Sequence, residues 1–146
     1  MAIERSADVT WEGSVARGGG TISAETGAFA ELPYSEPTRV GDSNGQTSPE
    51  ELLAAAHAGC FAMSLSGQLT RRKHPPERLD VRATVRLDRI EGRSEIVGSD
   101  VTVRARVPGL GREEFDEAVA AADEGCTFSR LIKAKGDVTF TAELEE

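Results

Sequence analysis

The spacing of hydrophobic and polar positions changes along the chain, and each change predicts a new element. In residues 79–90, LDVRATVRLDRI, the side chains of Val81, Ala83, Val85 and Leu87 point one way and those of Arg82, Thr84, Arg86 and Asp88 the other. Strict alternation of this kind predicts a half-buried strand. Residues 95–107 repeat it with Val101, Val103, Ala105 and Val107, so a hairpin turn is expected at Glu91-Gly92-Arg93. One apolar and one charged face predict an antiparallel sheet with a single buried side. The closing stretch, DVTFTAELE, sets Val138, Phe140, Ala142 and Leu144 on one face and predicts a final strand. Near the start, residues 6–15 and 20–24 read as an N-terminal hairpin with glycines at 18–20 in its turn. Residues 33–49 are rich in Pro, Gly, Ser, Asn and Thr, which predicts a loop holding at most a short strand.

Two regions follow a helical period instead. Thr47 or Ser48 can cap a helix, Pro49 fits its first turn, and Glu50 and Glu51 suit the positive end of its dipole. The body runs to about Arg72 and stops before Pro75-Pro76. Between residues 52 and 65 it is apolar on nearly every side, which predicts a helix buried all round. A chain of this size has difficulty enclosing such a helix alone, so a second subunit is expected to cover part of it. Residues 112–124 predict another helix, with Phe115, Ala118, Val119 and Ala122 inward and Gly125 as its C-cap. Residues 126–134 extend the helical pattern. Strands, long helix, strands, helix, strand make an α+β layout, expected as one domain over residues 1–146.

Composition narrows the function. Acids outnumber bases 25 to 17, for a net charge of −8. That is a poor match for nucleic acid or for an anionic membrane surface, so neither is expected as a partner. The N-terminus, MAIERSADVTW, has no apolar core of a signal peptide. The apolar run Leu52 to Leu65 has fourteen residues, short of the roughly 20 needed to span a bilayer. A cytoplasmic location is expected, where two cysteines are more often reactive or buried than a standing bridge.

Those two are Cys60, inside the long helix, and Cys126, after the second one; each follows a glycine. There is no CxxC pair and no set of ligands at zinc-finger spacing, so neither a thioredoxin-type motif nor a metal is expected. His57 lies three residues before Cys60 on the same helix, too constrained to be the usual base of a Cys/His hydrolase. A satisfied core or interface histidine is the reading preferred for it, and a small buried hydrophobe is the plain reading of either cysteine.

The run SPEELLAAAHAGCFAMSLS, residues 48–66, resembles the signature helix of the OsmC/Ohr family of thiol-dependent peroxidases. FDEAVAAADEGCTFSRLIKA, residues 115–134, resembles its second signature, although Thr127 stands where Pro often follows the cysteine. WEGSVARGGG, Gly27 and PYSEPTRVG resemble the OsmC subgroup more than the Ohr subgroup. The resemblance implies an OsmC-like fold, with antiparallel sheets wrapped around a long buried central helix in an intertwined homodimer. It implies a peroxidatic Cys60, a resolving Cys126, an activating Arg39 and a carboxylate partner at Glu50. Arg17, in the glycine-rich turn, is the rival of Arg39, and Glu51 could replace Glu50. The implied substrates are organic hydroperoxides and H₂O₂, with a thiol or dithiol reductant and no cofactor. Apolar neighbours of the cysteines (Phe61, Met63, Phe128, Leu131) would favour organic hydroperoxides or be ordinary core.

This chemistry is physically coherent. Only the thiolate attacks an O–O bond, and a free thiol of pKa about 8.5 is a few per cent ionised at pH 7. A nearby guanidinium favours the thiolate and can hydrogen-bond the peroxide, while a carboxylate holds the guanidinium's fork in place. Glu50 and Cys60 are ten residues apart, roughly 15 Å along one helix. Two antiparallel copies would bring Glu50 of one subunit to Cys60 of the other. The alternative is a non-enzymatic member of the fold that binds an apolar small molecule.

Overall fold

The computed structural model describes residues 1–145. Its elements are β1 (Ala7–Glu12), β2 (Gly19–Ala24), β3 (Leu32–Tyr34), α1 (Glu36–Val40), α2 (Pro49–Arg71), β4 (Arg78–Ile90), β5 (Arg93–Arg106), α3 (Arg112–Gly125), α4 (Thr127–Lys133) and β6 (Asp137–Glu145). The chain gathers into two compact units, Met1–Leu52 and Leu53 onward.

In the first unit, β1, β2 and β3 form an antiparallel sheet in that order. Trp11 meets Tyr34 edge to face at 5.5 Å between ring centroids. The stretch expected to be a loop contains a helical turn, α1, as well as β3. Ser35 caps α1, accepting from the Thr38 amide, Pro37 lies in its first turn, and Gly41 ends it. A Ser-Glu-Pro run is itself a helix-start signal, but the surrounding glycines and serines obscured it.

The second unit is built on α2 and a sheet of order β4-β5-β6. β4 and β5 form the expected hairpin, closed by Glu91 (φ 49°) and Gly92 (φ 80°). Two successive positive φ values give a two-residue turn whose twist matches the strands. The register shifts between Arg86 and Leu87. β6 departs from the expected antiparallel pattern and pairs with β5 in parallel, Val101 beside Phe140 and Val103 beside Ala142. The reason is the crossover: α3 and α4 carry the chain back along the sheet before β6 begins, as a parallel pairing requires.

Alternation sets the core. Val101, Val103 and Ala105 of the central strand are buried, and Leu79, Val81, Ala83, Val138, Phe140, Ala142 and Leu144 pack around them. The intervening positions carry charge, with Arg86 bridging Asp100 and Asp137 at 2.9 Å each. α3 buries Phe115, Ala118, Val119 and Ala122, the four positions its spacing predicts. α2 buries His57, Phe61, Leu65 and Leu69. Its other side is open: Met63 is 78% exposed, and Ala55 and Gly59 are exposed too. The expectation of a helix buried all round is therefore corrected for the chain by itself, because sheet and helices cover only one stripe of it. At 23 residues α2 is also long and apolar enough, by length and composition alone, to cross a membrane. Its Phe61, Leu65 and Leu69 belong instead to the hydrophobic core.

Phe61 has no exposed surface, and its ring lies 4.8 Å from that of Phe140. Phe61→Ala is expected to cost about 3–5 kcal/mol, since a large cavity opens between helix and sheet. Urea unfolding followed by circular dichroism measures it, and a loss below about 1 kcal/mol would show that the site collapses freely.

Candidate active site

In the first unit the candidate residues Arg39 and Glu50 meet. α1 presents Arg39 from its last turn, and Glu50 sits in the first turn of α2. Arg39 Nε donates to both carboxylate oxygens at 3.0 Å, and Nη2 donates to Oε1 at 2.5 Å. This fork is the bidentate geometry that fixes a guanidinium plane. Glu36 lies farther off, 3.6 Å from Nη1. Burial pushes the Glu50 carboxyl up, but hydrogen bonds from Arg39 and from its own amide hold it below the ordinary range. The Glu50 hydrogen bond in turn raises Arg39. Arg39 keeps 30% of its side chain exposed, so the pair is anchored without being sealed. Glu51 is engaged elsewhere: it accepts from Thr47 Oγ1 at 2.8 Å, and its amide donates to Ser48 Oγ at 3.1 Å. It serves the helix start, leaving Glu50 as the arginine's partner.

Arg17 lies on the turn between β1 and β2, exposed, with its amide donating to Ser14 Oγ. It lines an open groove of about 650 Å³ with Glu12, Gly19, Tyr34, Pro37 and Gln46.

In the second unit both cysteines are free, Cys60 half-buried and Cys126 buried. One hydrogen bond ties their elements together. Ser64, one turn after Cys60 on α2, donates at 2.8 Å to the carbonyl of Ala122, one turn before Cys126 on α3. Gly125 permits the approach, because a Cβ there would lie 3.2 Å from Ser64 Oγ. Cys126 caps α4, its sulfur accepting from the Ser129 amide at 3.4 Å. Of the apolar neighbours, Phe61 is core, Phe128 is half-buried, and Met63 and Leu131 are exposed.

His57 is the satisfied core histidine its position suggests. It has no exposed surface, and its Nδ1 and Nε2 lie 2.8 Å from Ser99 Oγ and Ser129 Oγ. The two serines were not foreseen. Each is fully buried, and nothing in the sequence around it marks it as a partner of His57. Lys133 pairs with Asp123 nearby, and the other Asp123 oxygen is buried without a partner among the described residues. No group of His, Cys, Asp and Glu able to hold a metal ion occurs among the described residues.

Residues 41–141 match the family model described as OsmC-like protein. The chain is 37% identical to "Peroxiredoxin OsmC" of Escherichia coli (strain K12), over 92% of this chain and 94% of that one. It is 33% identical to the "Organic hydroperoxide resistance protein" of Xanthomonas axonopodis pv. citri (strain 306), over 86% of each. Its fold is similar to the crystal structure of the organic hydroperoxide resistance protein OhrB of Bacillus subtilis, with a TM-score of 0.70 at 27% identity, covering 94% of this chain and 98% of that one. The fold is thus that of the OsmC and Ohr proteins. The chain belongs to the OsmC-like protein family.

The buried imidazole has a consequence for stability. Burial pushes His57 below its ordinary 6.5, while Asp123 draws it up and Lys133 pushes it down. Just below pH 6.5 the unfolded chain therefore holds more protons at this position than the folded one. Stability is expected to fall as pH drops through that region and to be unaffected by His57 above it. Glu50 acts lower: its contribution is present above 4.5 and lost as pH falls below. Urea titrations between about pH 5 and 8 should show the first decline in the wild type and its absence in His57→Gln.

Proposed function

We propose that this chain is a cysteine-based peroxidase that reduces hydroperoxides through Cys60 and Cys126. The observation that carries the reading is the pair of free thiols, one half-buried and one buried, on elements joined by the Ser64–Ala122 hydrogen bond. The names of its relatives, a peroxiredoxin and an organic hydroperoxide resistance protein, support it.

In this mechanism the Cys60 thiolate attacks one oxygen of the hydroperoxide, the O–O bond breaks, and the alcohol leaves with a proton. Cys60 becomes a sulfenic acid. Cys126 attacks that sulfur, water leaves, and a disulfide joins the two residues. A thiol or dithiol reductant restores both thiols by exchange and is itself oxidised. Arg39, held flat by Glu50, is assigned to stabilising the thiolate and the departing alkoxide. The fork to Glu50 favours Arg39 over Arg17, whose guanidinium has no such anchor among the described residues.

The working unit in this proposal is a homodimer of one OsmC-like domain in the cytoplasm. Ten residues separate Glu50 from Cys60 along α2, roughly 15 Å by helical rise. The exposed apolar stripe of Ala55, Gly59 and Met63 supports a second copy lying there. The Arg39–Glu50 fork of one subunit would then serve Cys60 of the other.

Stopped-flow oxidation by cumene hydroperoxide and by H₂O₂, with thiols followed by mass spectrometry, tests the chemistry. The wild type should lose two thiols quickly, Cys126→Ser should stop at the sulfenate, and Cys60→Ser should not react. Arg39→Ala should slow the first step about a hundredfold, while Arg17→Ala leaves it unchanged. Wild-type oxidation no faster than that of an ordinary thiol would overturn the proposal.

Mixed dimers test the shared site. A dimer of one Cys60→Ser and one Glu50→Ala subunit keeps one complete site and should regain about half of wild-type activity. No recovery in isolated mixed dimers would exclude it.

A further inference from the structure

The roles assigned to Cys60 and Cys126 leave His57 without a part, yet it connects the elements that carry both. It lies on α2 one turn before Cys60 and reaches two other elements. Nδ1 is 2.8 Å from Ser99 Oγ on β5, and Nε2 is 2.8 Å from Ser129 Oγ on α4. Ser129 in turn gives its amide to the sulfur of Cys126 at 3.4 Å. All three residues of the chain Ser99–His57–Ser129 are fully buried. A path of hydrogen bonds thus runs from the central strand, through the helix of one cysteine, to the sulfur of the other.

We propose that His57 is a positioning residue for the resolving step. It holds Ser129 so that the Ser129 amide stays directed at Cys126, keeping that sulfur oriented as a nucleophile toward α2. The step served is the one in which Cys126 sulfur bonds to the sulfenic sulfur of Cys60. The S–O bond breaks, and water leaves with the Cys126 proton. This inference rests on the peroxidase reading.

Two arms of the imidazole do different work, and two substitutions separate them. A glutamine amide reaches the position of Nε2 and can keep the Ser129 bond. An asparagine amide reaches the position of Nδ1 and can keep only the Ser99 bond. A merely structural histidine would suffer equally from either, since each leaves one buried serine unpaired.

The experiment follows single turnovers with one equivalent of cumene hydroperoxide, quenched into dimedone to trap sulfenate and resolved by mass spectrometry. For His57→Asn the sulfenate should form at close to the wild-type rate, while disulfide closure slows about tenfold or more and trapped sulfenate accumulates. His57→Gln should close the disulfide within about threefold of wild type. Ser129→Ala, which removes one oxygen, should behave like His57→Asn and carries the comparison should that variant fold poorly. Equal closure rates in His57→Asn, His57→Gln and wild type, or equal slowing in the two variants, would overturn the inference. So would normal closure in Ser129→Ala. A wild type that forms no Cys60–Cys126 disulfide would instead mark the failure of the peroxidase reading.

Discussion

One helix packed against one sheet organises the second unit. α2 sets Phe61, Leu65 and Leu69 into the core shared with Val101, Val103 and Ala105 of β5. Every other element there answers to this contact. β4 and β6 flank β5 and extend its apolar face. α3 adds Phe115 and Ala122 to the same core. Because the helix has a fixed 3.6-residue turn, placing Phe61 and Leu65 inward also fixes where Cys60 stands, half-buried at the margin of the core. The position of the Cys60 thiol is thus set by packing.

Fully buried polar residues inside that packing are few: His57, Ser99 and Ser129, each hydrogen-bonded to another of the three. A buried imidazole that lacked partners would cost more than it could return. Here each ring nitrogen has a serine hydroxyl, drawn from a strand on one side and a short helix on the other. Such a bond is directional where apolar contact is not. Close packing fixes the spacing of the elements, and the His57 bridge adds a directional preference for one arrangement of α2, β5 and α4. The Arg39–Glu50 fork has the same character in the first unit, where a short helix is pinned to the start of a long one.

Legibility in the sequence followed periodicity. The β4–β5 hairpin, the inner face of α3 and the last strand could be read because their apolar side chains recur at a constant period, and the long helix because of its cap, its apolar run and the prolines that follow it. α1 was missed because five residues give no period, only a cap. The parallel β5–β6 pairing was missed because direction depends on a crossover, which leaves no local mark on the strand. Glu50 and Glu51 could not be told apart in the sequence; Thr47 and Ser48 occupy one, and Arg39 takes the other. Ser99 and Ser129 are single residues, and only three dimensions bring them to His57.

The parallel pairing of β6 also has a consequence for synthesis on the ribosome. β5 is complete at Arg106, but its partner on one side is the stretch Asp137–Glu145, which is made only after α3 and α4. Until that stretch emerges, β5 has an open edge, and Val101 and Val103 lack the cover of Phe140 and Ala142. Such an edge invites pairing with other chains. The sheet therefore closes only once Asp137–Glu145 has emerged, and a chain cut short before residue 137 would be a substrate for chaperones and proteases.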